Sequence, residues 1–303
     1  MRVFVTGVGG QLGHDVMNEL AKRGHTGVGS DIAPVYSGIA DGSAVTAMPY
    51  VQLDITDKAA VERVVAEVRP DAVIHCAAWT AVDLAEDPSL SEKIRAINVD
   101  GTKNIAQVCK TLDSKMVYIS TDYVFDGNHF VPYVESDEPA PRSVYGSTKL
   151  AGERDLFDIA PDSIVVRTAW LYSATGNNFV KTMLRLGKEK DSIRVVYDQI
   201  GSPTYAPDLA SAILTIIESE TWVPGVYHFT NEGVISWYDF TKAIFRISGV
   251  HCEVSPILSS EYKTLAVRPH YSVLDKSKIK SVFGVNIPYW EDSLQLCIKL
   301  LNK

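Results

Sequence analysis

The sequence predicts an α/β fold, a doubly wound parallel sheet with a smaller, interleaved C-terminal lobe. Three observations carry that expectation. Short β-branched runs alternate with amphipathic helical stretches through the first half of the chain, the pattern of strands joined by crossover helices. A glycine-rich turn separates the first strand from the first helix. After Arg167 the rhythm loosens into helical segments spaced by loops rich in Pro, Gly and Ser.

In order, RVFVT precedes a helix over 11–22, and VGSDI supplies the next strand. YVQLD precedes a helix over 58–68, AVIH one over 90–111, KMVYIS one over 144–157, and SIVVRT closes the series. The Gly/Ala/Ser-rich stretch 33–48 reads as a long surface loop. Later helices fall at 178–186, 208–218, 237–247 and 291–300. This divides the chain into a dinucleotide-binding domain over 1–168, to which segments around 190–230 return, and a substrate-binding lobe formed mainly by 169–303. In such a sheet, ligands sit beyond the carboxyl ends of the strands.

Composition narrows the class. At 303 residues, 46% hydrophobic and 22% charged, the chain is an ordinary soluble globule. No run approaches the roughly 18 apolar residues of a membrane span, and VFVT follows Met1-Arg2 too closely for a signal peptide, so a cytoplasmic location is expected. The four cysteines, Cys76, Cys109, Cys252 and Cys297, have no metal-type spacing and read as buried reduced thiols. A net charge of −8 without a basic run argues against a nucleic-acid partner. An anionic ligand must then be held by local donors.

Gly7, Gly10 and Gly13 lie at three-residue spacing in GVGGQLG, together with Gln11 and Leu12. A dinucleotide pyrophosphate needs such a turn, because side chains would keep phosphate oxygens from the amides at the helix start. Asp31 follows where an acidic residue hydrogen-bonds the adenosine ribose and disfavours a ribose phosphate, which favours NADH. Asp54 and Ile55 are placed to meet the adenine edge, while Thr56 or Asp57 is the natural cap of the next helix.

VYGSTK sets Lys149 four residues after Tyr145, but WYDFTK repeats that spacing at Tyr238 and Lys242. Context separates them. Tyr145 opens a helix after a strand ending in Ser120-Thr121, at the sheet edge where a nicotinamide belongs. Four helical residues rise about 6 Å and return to the same face, which brings the ammonium near the phenol. A free tyrosine titrates near ~10, and each unit of depression requires about 1.4 kcal/mol. Lys149 and the cationic ring of the oxidised cofactor are expected to favour phenolate, with Thr121 bonding the substrate oxygen. Tyr238 has no such strand before it, and Trp237, Phe240 and Ile244 around it read as packing.

TGVGGQLG, CAAWTAVD, AINVDGTKN, STDYVFDG and YGSTK together resemble an extended short-chain dehydrogenase/reductase. RTAWLY, GNNFVKTMLRL, DQIGSPT and VRPHYS narrow the resemblance to the dTDP-4-dehydrorhamnose reductase family along nearly the whole chain. It implies a Rossmann-type fold, a triad of Thr121, Tyr145 and Lys149, and NADH- or NADPH-dependent reduction of the keto group of a dTDP-sugar to complete dTDP-L-rhamnose. Ala77 and Ala78 then lie against the cofactor, and Trp79, Val82 and Trp170 line the sugar pocket. Asn178 and Arg268 are the choices for the diphosphate, and Gln199, Pro203 and Thr204 for the nucleotide moiety.

Asp122-Tyr123 stands where related dehydratases carry Asp-Glu, which argues against dehydration. Epimerases share the triad, and only the later blocks favour reduction. Some relatives dimerise through a magnesium ion held by glutamates. Asp15 occupies one comparable place, but the C-terminal LCIKLLNK offers no carboxylate, so no metal bridge is expected and the chain is read as a monomer or homodimer. A non-catalytic nucleotide-binding regulatory subunit is the alternative function, as is a reductase or epimerase for another nucleotide sugar.

Overall fold

Seven parallel strands form the central sheet of the computed structural model, which describes residues 1–36 and 48–302. Most of the expected 33–48 loop lies outside the described residues. The strands are β1 (Arg2–Thr6), β2 (Thr26–Asp31), β3 (Tyr50–Gln52), β4 (Ala72–His75), β5 (Lys115–Thr121), β6 (Ile164–Thr168) and, after four short strands of the second lobe, β11 (Gly225–His228). Their order is β11-β6-β5-β4-β1-β2-β3. The direction of winding therefore reverses between β1 and β4, and the crevice beyond their carboxyl ends is where a ligand is expected.

Helices cover both faces. On one, α1 (Gln11–Lys22) packs beside a later helix, α7 (Ala206–Glu218). Val16, Met17 and Leu20 meet Leu209, Ile213 and Ile216 over the buried faces of β1 and β6. On the other face, α2 (Lys58–Val68), α4 (Gly101–Leu112) and α5 (Val144–Ile159) bury Val61, Val65, Ile105 and Leu156 against Phe4, Val73 and Tyr118. Sheet residues of successive parity thus feed two separate cores.

The helix expected over 90–111 is not one regular element. A short α3 (Ser91–Arg95) runs through a π-helical turn (Ala96–Asp100) into α4. The turn places Asn98 inward, where its side chain bonds Trp79 N at 2.8 Å and Thr148 Oγ1 at 3.1 Å. Asp57 caps α2 by accepting from Ala60 N at 3.0 Å.

The second lobe centres on α6 (Phe179–Glu189), α8 (Trp237–Ser248) and α10 (Trp290–Leu301), with Val180, Phe240, Ile244, Leu294 and Ile298 at its core. Its paired strands are short: β7 (Leu171–Tyr172) with β10 (Thr204–Tyr205), β8 (Ser192–Val196) with β13 (Glu253–Ile257), and β9 (Ile200–Gly201) with β12 (Ile235–Ser236). A further helix, α9 (Ser277–Phe283), returns Ile279 and Phe283 to the core of the sheet.

Candidate active site

Where the strands end, a cavity of about 560 Å³ opens, lined by Thr6 from β1, Asp31 from β2, Cys76 after β4, Thr121 from β5 and Thr168 from β6. Its size lies in the range of small-molecule and cofactor sites. Gly7, Gly10, Gln11, Leu12 and Gly13 line one side, with Asp31, Asp54 and Ile55 beyond them.

The turn tolerates nothing larger than glycine at two places. Gly7 has φ +74°, and a Cβ there would stand 2.6 Å from Ala77 N; one on Gly13 would stand 2.3 Å from Gly7 O. Close passage of β1, β4 and the start of α1 thus leaves backbone, without side chains, facing the cavity. That arrangement fits a pyrophosphate at a helix start.

At the other end Thr121, Tyr145 and Lys149 line the same cavity. Ser143 starts α5 by accepting from Gly146 N at 3.1 Å, which sets Tyr145 and Lys149 on the face turned to the sheet. Thr121 closes β5, its hydroxyl donating to Asp122 Oδ1 at 3.0 Å and accepting from Tyr123 N at 3.2 Å. A hydrogen bond with Thr121 favours the Tyr145 phenolate, but burial dominates and holds the phenol above its ordinary value. Depression by Lys149, expected from the helical spacing, does not prevail. Lys149 is itself buried, and burial brings its ammonium down to about 7, opposed by Glu153. Desolvation therefore acts on both members of the pair, toward their neutral forms.

Of the other residues singled out in the sequence, Ala77, Ala78, Val82 and Trp170 line the cavity, whereas Trp79, Asn178, Gln199, Pro203, Thr204 and Arg268 do not. Trp79 Nε1 donates to Ala81 O at 3.1 Å, under Lys93. Asn178 caps α6, accepting from Lys181 N and donating to Gln11 Oε1 at 2.9 Å. Gln199 donates to Ser259 Oγ at 3.0 Å, and Thr204 accepts from Thr168 Oγ1 at 3.1 Å beside buried Pro203. Arg268 pairs with Asp83 Oδ2 at 2.6 Å and donates to Tyr123 Oη at 3.2 Å.

Thr6, Thr80, Asn177 and Tyr123 also line the cavity, beyond the residues to which the sequence motifs point. Tyr123 presents its ring edge-on to Tyr145, centroids 5.6 Å apart. Its place after the strand-ending threonine was the available signal. Asp15 lies elsewhere, buried and accepting from Ser173 Oγ at 2.7 Å. Among the described residues no group of acidic, histidine or cysteine side chains is arranged to hold a metal ion.

A family model described as the RmlD substrate binding domain matches residues 1–303. The dTDP-4-dehydrorhamnose reductase of Aggregatibacter actinomycetemcomitans is 40% identical over 97% of each chain. The chain belongs to this family, that of the dTDP-4-dehydrorhamnose reductases. Among solved members, the Clostridium acetobutylicum protein superposes with a TM-score of 0.89 at 39% identity over 100% of both chains. The Bacillus anthracis reductase, solved in complex with NADP, gives 0.87 at 39% identity over 98% of both. Membership explains why one cavity joins a glycine turn to a Thr-Tyr-Lys set: this is a nicotinamide-dependent oxidoreductase of the RmlD family.

Proposed function

We propose that the chain reduces the 4-keto group of dTDP-4-dehydro-L-rhamnose to give dTDP-L-rhamnose, using NADH or NADPH. Convergence of Thr121, Tyr145 and Lys149 with the Gly7–Gly13 turn in one cavity carries the reading. The turn, Asp31, Asp54, Ile55, Ala77 and Ala78 would hold the cofactor, with Lys149 at its nicotinamide ribose. A reduced nicotinamide supplies the hydride for the carbonyl carbon.

The residues of the chain manage the oxygen. Thr121 would donate a hydrogen bond to the carbonyl once its hydroxyl turns from Asp122 Oδ1. Tyr145, kept protonated by burial, hands its proton to the developing alkoxide, a stronger base than phenolate. Lys149 steadies the phenolate that remains. Val82 and Trp170 would flank the sugar, and Arg268 would serve the diphosphate only after exchanging its Asp83 partner. The sheet domain and the lobe after residue 168 divide cofactor and substrate between them. No helix among the described residues is long and apolar enough to cross a membrane. A cytoplasmic location and action as a monomer or homodimer belong to the same reading.

The test is to incubate the protein with the dTDP-linked 4-keto-6-deoxy-L-sugar and each reduced cofactor, then identify the product by NMR. dTDP-L-rhamnose is expected. Tyr145→Phe should retain cofactor binding while kcat falls by about 10²- to 10⁴-fold. Cofactor binding by wild type without turnover would instead support the regulatory-subunit reading, and a different epimeric product would identify another sugar substrate.

A further inference from the structure

Beneath the cavity lies a charge cluster that the proposed chemistry leaves unused. Glu153 stands one helical turn beyond Lys149 on α5, and Lys149, Glu153 and Arg167 are 2%, 3% and 3% exposed. Arg167, from β6, donates through Nε to Glu153 Oε1 at 3.0 Å and through Nη2 to Oε2 at 2.6 Å. Ser120, which lines the cavity, donates its hydroxyl to Glu153 Oε1. Three elements thus meet at one buried carboxylate, a helical turn from Lys149 on the same helix.

A brace alone does not require these charges. A buried ion pair costs desolvation that well-packed apolar groups avoid, and Arg167 Nη1 remains buried without a hydrogen-bond partner. We propose that Glu153 is a positioning residue: its carboxylate, fixed by Arg167 and Ser120 one helical turn from Lys149, holds the Lys149 ammonium in its charged form beneath the cavity.

The surroundings of Lys149 offer little else to do this. From β4, the buried His75 imidazole is pushed down to about 3 and the Cys76 thiol up to about 12, so both are neutral near pH 7. From β5, Tyr118 lies with its ring 3.9 Å below Lys149 Nζ, its phenol raised by burial. Tyr145 on the same helix is likewise held protonated. Asp122, in the turn after β5, is brought up to about 6 by burial and is engaged by Thr121. Arg167 adds a second positive charge beyond Glu153. The Glu153 carboxylate is paired with Arg167 and lies one helical turn from Lys149, so removing the carboxylate and removing the guanidinium should move Lys149 in opposite directions.

The test labels the full chain with ¹³Cε-lysine and follows Lys149 by NMR between pH 5 and 10, its resonance identified by its loss in Lys149→Met. Removing the carboxylate in Glu153→Gln should bring the Lys149 titration down by about one pH unit or more. Arg167→Met, which leaves the carboxylate and removes its other cation, should move it up. If Glu153→Gln does not fold, Arg167→Met compared with Arg167→Met/Glu153→Gln isolates the same carboxylate without leaving a lone buried guanidinium. Titration within a few tenths of a pH unit throughout would overturn the proposal and leave Glu153 a brace.

The alkaline limit of kcat/KM should follow the NMR titration in both directions. That kinetic arm rests on the reductase reading, whereas the NMR arm does not, so failure of one is distinguishable from failure of the other.

Discussion

At Asp31 two backbone amides fix a carboxylate at the rim of the cavity: Gly9 N reaches Oδ2 at 2.8 Å and Ile32 N reaches Oδ1 at 2.7 Å. A 2′-phosphate brought to this place would face a negative charge without a compensating one. Between Arg2 and Lys58 the sequence has only Lys22 and Arg23 as strong cations, and both pair with Glu19, Arg23 also with Glu218. Lys149, at the opposite end, is the one lysine or arginine lining the cavity among the described residues. NADH should therefore exceed NADPH in kcat/KM by about tenfold or more, corresponding to at least about 1.4 kcal/mol of discrimination. Asp31→Asn should narrow that ratio, mainly by improving NADPH. Steady-state kinetics with both cofactors decide it, and equal use of the two by wild type would refute the argument.

Elements differ in how plainly they were written. The strands through β6 and the helices that follow them were legible because each has apolar periodicity and turn residues at its ends. β11 was not, since GVYH lies outside the strand–helix alternation of the first half and becomes a strand by pairing in parallel with β6. The π-helical turn before α4 was hidden for a different reason: its sequence suits an α-helix, and inward bonding by Asn98 selects the wider turn. Thr121, Tyr145 and Lys149 could be read because one strand end and one helix start carry them. Thr80 and Asn177 come from irregular connections, where no periodicity tells which side chain faces the cavity, whereas Tyr123 follows the strand-ending threonine directly. Trp170 shows the same limit. It adopts φ +48° and lies flat on Trp237 from α8, centroids 3.6 Å apart, with Gly201 close against its indole. The Trp237→Ala change should free this wall of the cavity and raise KM for the sugar nucleotide by about threefold to tenfold, with NADH affinity unchanged. Titration of NADH fluorescence alongside initial rates separates the two effects, and an equal loss of cofactor affinity would place the defect elsewhere.

Across the whole molecule, α1 carries the polar seam between the lobes. Gln11 and Asp15, one turn apart on its face, accept from Asn178 Nδ2 at 2.9 Å and Ser173 Oγ at 2.7 Å. Burial brings the Asp15 carboxyl up from 3.8 to about 6, only partly offset by Ser173. A carboxyl raised on folding binds its proton more tightly in the folded chain. Its contribution to stability is fully present below the unfolded value near 3.8 and is lost as pH rises through about 6. Above pH 7 the seam therefore contains a buried carboxylate, at a cost on the order of 2–3 kcal/mol. Asp15→Asn keeps an oxygen for Ser173 and removes that charge. The variant should melt roughly 4 °C or more above wild type at pH 8, and the difference should shrink to roughly a third of that at pH 4.5, where Asp15 is protonated in the fold but still mostly ionised in the unfolded chain. Thermal denaturation followed at both pH values checks the sign. A gain that is the same at pH 4.5 and pH 8 would mean that packing, and not the charge of Asp15, limits how firmly the two lobes are joined.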